Sequence, residues 1–187
     1  MIKTVQKNQG FTLVELLVVI AIVAILAAVV VLIINPLELT RRGRDAARLS
    51  DLSNLQNAIN VAVQEATNSG SAILCNGGTY PCSAPSYPLG GTTRVSNGGG
   101  WVKVNLGGNK SVSVPTLPVD PTNDNTYHYT YCADNDAWEI DSTLESDQQK
   151  PKMAADGGDQ NATDTTGKYE VGSNLTLINA SSTPCGY

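Results

Sequence analysis

The run FTLVELLVVIAIVAILAAVVVLII, residues 11–34, constrains this chain more than any other part of it. Of its 24 residues only Glu15 is ionisable. At about 1.5 Å per residue they make a helix of about 36 Å, enough to cross hydrocarbon about 30 Å thick. A secretory signal or a plain anchor accounts for such a run when a small-residue cleavage site stands behind it. Here the small residue, Gly10, stands in front, and a carboxylate sits five residues into the run. A charge at the centre of a span costs about 2.5–3.5 kcal/mol on insertion scales, so an acid inside one is a functional-site candidate by default.

Beyond the span, a chain of 187 residues has room for one domain. Its hydrophobic residues concentrate in 11–34, so the remainder, rich in Gly, Asn, Ser and Thr, reads as a small, loop-rich soluble part. From residue 66 onward six Lys and Arg face twelve Asp and Glu, whereas residues 1–65 are close to neutral. An acidic face argues against direct general nucleic-acid binding, which needs a basic footprint.

All four cysteines, Cys75, Cys82, Cys132 and Cys185, follow the span. An even count in a small exported domain reads as disulfides, and the short CNGGTYPC loop favours Cys75 with Cys82 and Cys132 with Cys185 among the three pairings. Zinc is the rival reading, but no CxxC is present and the single histidine, His128, lies in a strand-like run where an ordinary packed or solvated side chain accounts for it.

Asn35-Pro36 ends the apolar run. Proline lacks a backbone donor, crowds the carbonyl four residues back and disfavours helix at the residue before it, so a kink or melted turn is expected at Leu32 to Pro36. From Leu37 to about Ala66 the pattern is helical again. Leu49, Leu52, Leu55, Ile59, Val63 and Ala66 recur every three or four residues, opposite Arg41, Arg44, Arg48 and Asp51, and Asn68-Ser69-Gly70 stops the helix.

Residues 68–100 read as a connecting loop. Alternation then predicts one hairpin from Trp101, Val102, Val104 and Leu106 through Gly107-Gly108-Asn109 to Val112 and Val114. A second runs from Tyr127, Tyr129 and Tyr131 through Asp134-Asn135-Asp136 to Trp138, Ile140 and Leu144. Tyr169 to Asn179 add a last short strand. The polar stretch 145–168 reads as a solvated loop or, alternatively, as a calcium site, because calcium takes the oxygen ligands that Asp156, Asp159 and Asp164 can supply.

Gln9-Gly10-Phe11-Thr12-Leu13-Val14-Glu15 resembles the processing motif of type IV pilins and of the pseudopilins of type II secretion and DNA-uptake machines. The resemblance implies that a membrane prepilin peptidase and methyltransferase cuts between Gly10 and Phe11 and methylates the new Phe11 amine. It also implies that Glu15 serves assembly, with the inner-membrane machinery, into a homo-oligomeric filament. The implied fold is α+β: a long N-terminal helix, spanning the membrane lipid in its first half, packed by its second half on a small antiparallel sheet. Leu117-Pro118-Val119-Asp120-Pro121 and the tyrosines after it resemble the entry to the sheet in major pseudopilins, some of which bind calcium in a C-terminal acidic loop.

On this reading the chain divides into a leader at 1–10, a spanning and assembling half-helix at 11–36, an amphipathic half-helix at 37–67 and a C-terminal loop and sheet region at 68–187. Lys3 and Lys7 suit a cytoplasmic leader, although Arg41, Arg42, Arg44 and Arg48 on the other flank pull the opposite way. The cysteines and the resemblance favour the C-terminus outside, in a cell-surface or periplasmic filament. No nucleophile with its base, no phosphate-cradling loop and no recognisable ligand spacing points to an enzyme. The expectation is a structural pilus-like subunit, with a major pseudopilin as the alternative. A membrane-anchored binding domain that never polymerises is a third reading, which would gain nothing from Glu15.

Overall fold

The computed structural model describes residues 10–67, 70–91, 93–108, 111, 113–179, 184 and 185, without the side chains of Leu32 and Ile34. The chain forms two compact units, Met1–Leu39 and Thr40–Tyr187. The expected leader at 1–9, with Lys3 and Lys7, and the stop at Asn68-Ser69 lie outside the described residues.

In the first unit helix α1 runs over Leu13–Ile34. It ends at Asn35, which takes the left-handed conformation (φ 44°), and helix α2, Pro36–Glu65, begins at the next residue. Asparagine tolerates that conformation better than most side chains. It also restarts the helix: its carbonyl oxygen accepts from Leu39 N (3.2 Å) and its side-chain oxygen from Glu38 N (3.4 Å). Pro36 then stands at the first position of α2, where a missing N–H costs nothing and its φ suits the helix. The expected yielding turn is therefore one residue, a cap shared by two helices.

In the second unit α2 buries Asp45, Arg48, Leu52, Leu55, Ile59 and Ala62, at spacings of three and four along one face. Arg48, expected on the solvated side, is fully buried, while Val63, expected inside, is 41% exposed. The stripe thus begins about one turn earlier than the apolar pattern indicates, with charged residues as its first members.

Against this face packs a four-stranded antiparallel sheet in the order β1-β2-β3-β4, formed by Cys82–Pro85, Thr130–Asp134, Ala137–Ser142 and Tyr169–Gly172. Strands β2 and β3 are the expected tyrosine hairpin, closed by Asn135 and Asp136 with φ of 47° and 63°. Two positive φ values in a two-residue loop match the right-handed twist of the strands. β4 begins at Tyr169 as expected, but β3 stops at Ser142, short of Leu144. Strand β1 and the short helix α3, Gly70–Leu74, fall in the stretch expected to be loop.

Among the described residues of the hairpin expected at 101–114 there is no strand. Trp101 and Val102 are adjacent and both buried, whereas a strand would point them to opposite faces. The backbone instead winds back on itself, with Trp101 N bonded to Thr93 O (3.0 Å), Leu106 N to Ser96 O (2.7 Å) and Val114 N to Leu106 O (3.1 Å). The turn residue Asn109 and Val112 lie outside the described residues.

Tyr129, Tyr131, Trp138, Ile140 and Val171 meet α2 in the main core. Cys132 and Glu139 are buried on the other side of the sheet, with the C-terminal segment that brings Leu177, Ile178 and Cys185 there. Both disulfides, Cys75–Cys82 and Cys132–Cys185, follow the favoured pairing, and no described cysteine is free.

Candidate functional site

Thr12 caps α1. Its hydroxyl accepts from Glu15 N (3.3 Å), and Glu15 Oε2 accepts in return from Thr12 N (2.9 Å) and from the Thr12 hydroxyl (2.8 Å). This reciprocal capping box satisfies donors that the first turn of a helix otherwise leaves open. The spacing Thr-x-x-Glu was legible in the sequence as a helix start, and Thr12 is the functional residue that sequence reasoning passed over. The box also corrects one expectation, because a plain anchor does gain from Glu15: such caps contribute about 1 kcal/mol.

Around this cap nothing is closed. Gly10 and Phe11 are exposed, Phe11 by 86%, and a Cβ placed on Gly10 would meet no atom within 4 Å. The fold therefore places no demand for glycine at position 10. From Leu13 to Val31 the helix is long and apolar enough to cross a membrane, and none of that stretch is buried within the protein.

A second cluster ties α2 to the domain. Arg48 bonds Asp120 in a bidentate pair (2.6 and 2.8 Å) and Asp45 (2.8 Å), and forms an ion pair with Glu145 (2.6 Å). Its guanidinium lies 5.1 Å from the Tyr127 ring centroid. Arg44 adds a bidentate contact to Glu145, and Asp45 accepts the backbone N–H of Glu145 and Ser146 (3.0 and 2.7 Å). Burial alone would lower the Arg48 pKa, but the surrounding carboxylates raise it above its ordinary value. For Glu145, burial pushes upward and the hydrogen bonds from Arg44 and Arg48 outweigh it, so its pKa is lowered. Asp120 belongs to the Leu117–Pro121 segment singled out in the sequence, and its role here is to receive Arg48.

On the opposite side of the sheet Glu139 and Glu170 lie within hydrogen-bonding reach of each other, and both are buried. Glu139 Oε2 accepts from Leu177 N and Ile178 N (2.7 and 2.9 Å), and Glu170 Oε2 from Gln160 N (3.1 Å). The remaining oxygen of each is buried without a donor. A proton shared between the two acids supplies one: burial, and then Glu170 beside it, raises the pKa of Glu139, while burial, with Asp156 and Asp159 nearby, raises that of Glu170.

Asp156 accepts from Gly158 N and Glu170 N, and Asp164 from Thr166, so both close turns in their own loop. Asp159 is exposed. Among the described residues no three His, Cys, Asp or Glu side chains are grouped as a metal centre would require.

A family model, the prokaryotic N-terminal methylation motif, matches residues 5–31. No curated protein and no solved structure matches the chain. The matched residues take in Gly10, Phe11, the Thr12–Glu15 box and the apolar helix, and with them this chain carries the hallmark of type IV pilins and pseudopilins.

Proposed function

We propose that the chain is the subunit of a type IV pilus-like filament, made as a precursor and stored in the membrane by α1 with its C-terminal domain outside the cytoplasm. The observation that carries this reading is the methylation motif around Gly10-Phe11 joined to an apolar helix that is unburied from Leu13 to Val31 and headed by a capped glutamate. The peptidase cuts after Gly10, the Phe11 amine is methylated, and assembly packs the α1 helices of many subunits together. Glycine at position 10 serves the enzyme, since the fold leaves ample room there for a larger residue.

A carboxylate held by its own helix cap is stored hydrogen-bonded, with no charged partner among the described residues. After cleavage the Phe11 amine, with a reference pKa of about 7.7–8.0, offers a stronger partner than Thr12 does. Pairing Glu15 of one subunit with the amine of its neighbour would set axial register. Lipid tails solvate the rest of the span about as well as another span, so this contact is among the few that favour association.

A major pseudopilin is the second reading, favoured by the Leu117–Pro121 segment whose Asp120 receives Arg48 from α2. N-terminal sequencing and intact mass test the common part. The mature chain should begin at methylated Phe11, and replacing Gly10 with a bulky residue should leave the leader attached; a mature end beyond Ala28 would mean an ordinary signal peptide. Electron microscopy of sheared filaments separates a long pilus from a short pseudopilus.

A further inference from the structure

We propose that Asn161 is the acceptor of an N-linked glycan. Asn161-Ala162-Thr163 has the acceptor pattern, with a hydroxyl two residues after the asparagine and no proline between them. The pattern alone decides little in a chain this rich in Asn, Ser and Thr, and it recurs at Asn109-Lys110-Ser111, Asn174-Leu175-Thr176 and Asn179-Ala180-Ser181. Residues 109, 110, 180 and 181 lie outside the described residues, and the surroundings of Asn161 and Asn174 separate those two.

Residues 161–166 are all exposed and belong to the segment between the 3-10 helix Lys150–Ala154 and β4, which has no regular structure. Asn161 is held by one contact, from its Nδ2 to Gly158 O (3.0 Å), and Thr163 has no hydrogen-bond partner among the described residues. The residue before it is fixed, because Gln160 O accepts from Lys168 N (3.1 Å) and Gln160 Nε2 donates to Ile178 O (2.7 Å). Asn161 to Thr163 therefore project from an anchored base with amide and hydroxyl both available.

Asn174 is exposed too, as is Thr176, but it is held more tightly. Its Oδ1 already accepts the Thr176 hydroxyl (3.0 Å), Ser173 N is bonded to Trp138 O (2.9 Å), and buried Leu177 follows. A turn pinned to β3 on one side and to the core on the other cannot be drawn into a transferase.

The donor is an oligosaccharide linked through diphosphate to a polyprenyl lipid. Asn161 Nδ2 attacks the anomeric carbon, the C–N bond forms as the carbon–oxygen bond to the diphosphate breaks, and Nδ2 gives one proton to a transferase carboxylate. The lipid diphosphate leaves, and nothing is oxidised or reduced. The step rests on the outward orientation of the domain proposed above, which brings acceptor and lipid donor to the same side of the membrane.

The test is mass spectrometry of the protein purified from its native cells, read on the tryptic peptide 153–168. Most copies should carry a saccharide mass on Asn161. Asn161→Gln and Thr163→Ala should each reduce occupancy at least tenfold, Thr163→Ser should retain it, and Asn174→Gln should leave it unchanged. Both positions are exposed, so melting curves should match the unaltered protein. A bare peptide, or sugar on the threonines with Asn161 free, overturns the proposal. If those same molecules begin at Phe11 with no free thiol, the pilin-like reading survives its failure; a retained leader with four free thiols overturns both.

Discussion

Helices α1 and α2 each carry charge in surroundings that should not tolerate it, and they handle it in opposite ways. Glu15, in a helix whose apolar side chains are exposed from Leu13 to Val31, finds its partners within three residues. Arg48, in a polar helix that packs on its own domain, is fully buried and draws its carboxylates from as far away as Asp120 and Glu145. A local cap can be exchanged when a better partner arrives. A buried cluster spanning distant segments cannot be opened without opening the fold. The first charge is suited to assembly and the second to permanence.

The comparison breaks most visibly at Glu15. Glu15→Ala should leave cleavage after Gly10 and the melting of the outer domain unchanged, while sheared filament falls by tenfold or more in cells lacking the natural copy. Normal filament yield would show that the cap is all Glu15 does.

Next come the long-range ties of the second unit. Cys132 and Cys185 are 53 residues apart, and closing that loop contributes about 4 kcal/mol in the chain-entropy model, against about 2.5 kcal/mol for the seven-residue separation of Cys75 and Cys82. Denaturant unfolding of the Cys132→Ser/Cys185→Ser and Cys75→Ser/Cys82→Ser proteins should rank in that order. Arg48→Ala should cost about 3–5 kcal/mol because it strands buried carboxylates. Replacing Arg48, Asp120 and Glu145 together by apolar residues of similar volume should cost much less, and an equal loss would mean that shape rather than charge ties the segments.

Acid and base should attack different clusters. The pKa of Glu145 is lowered on folding, so its contribution is complete above the ordinary glutamate value of about 4.5 and is lost as pH falls below it. Those of Glu139 and Glu170 are raised, so theirs is complete below about 4.5 and is lost as pH rises toward the folded values. Thermal melting should therefore peak on the mildly acid side and fall by several °C, on the order of 1 kcal/mol, between pH 5 and 8. Glu170→Gln, which supplies the Glu139 oxygen with a permanent donor, should flatten that decline; an unchanged slope would place the titration elsewhere. The smallest effect is expected in the acidic loop, where Asp156 and Asp164 already close their turns. Millimolar calcium should move the melting temperature by less than about 1 °C, whereas a rise of several degrees, reversed by chelator, would establish a calcium site by linkage.

What could be read without coordinates was whatever depends on neighbours in sequence. The span, its break at Asn35-Pro36, the turn at Asn135-Asp136 and the strands around it are all local signals. So was the Thr12–Glu15 box, whose spacing was present though the acid was weighed alone. The false hairpin at 101–114 shows where alternation misleads: Trp101 and Val102 are both drawn inward by a core that surrounds the segment, so a period of two appeared without a strand to cause it.

Composition and order determined that this chain has a membrane-competent helix, an N-terminal methylation motif and a disulfide-closed α+β domain. Tertiary structure alone decided which charges would be inside. Whether Arg48 faces water or core depends on where Asp120 and Glu145 arrive, 72 and 97 residues later, and whether Glu139 holds a proton depends first on its burial with the C-terminal segment and then on Glu170 beside it. Burial of a charge is settled by its partners, and those partners are distant in the sequence.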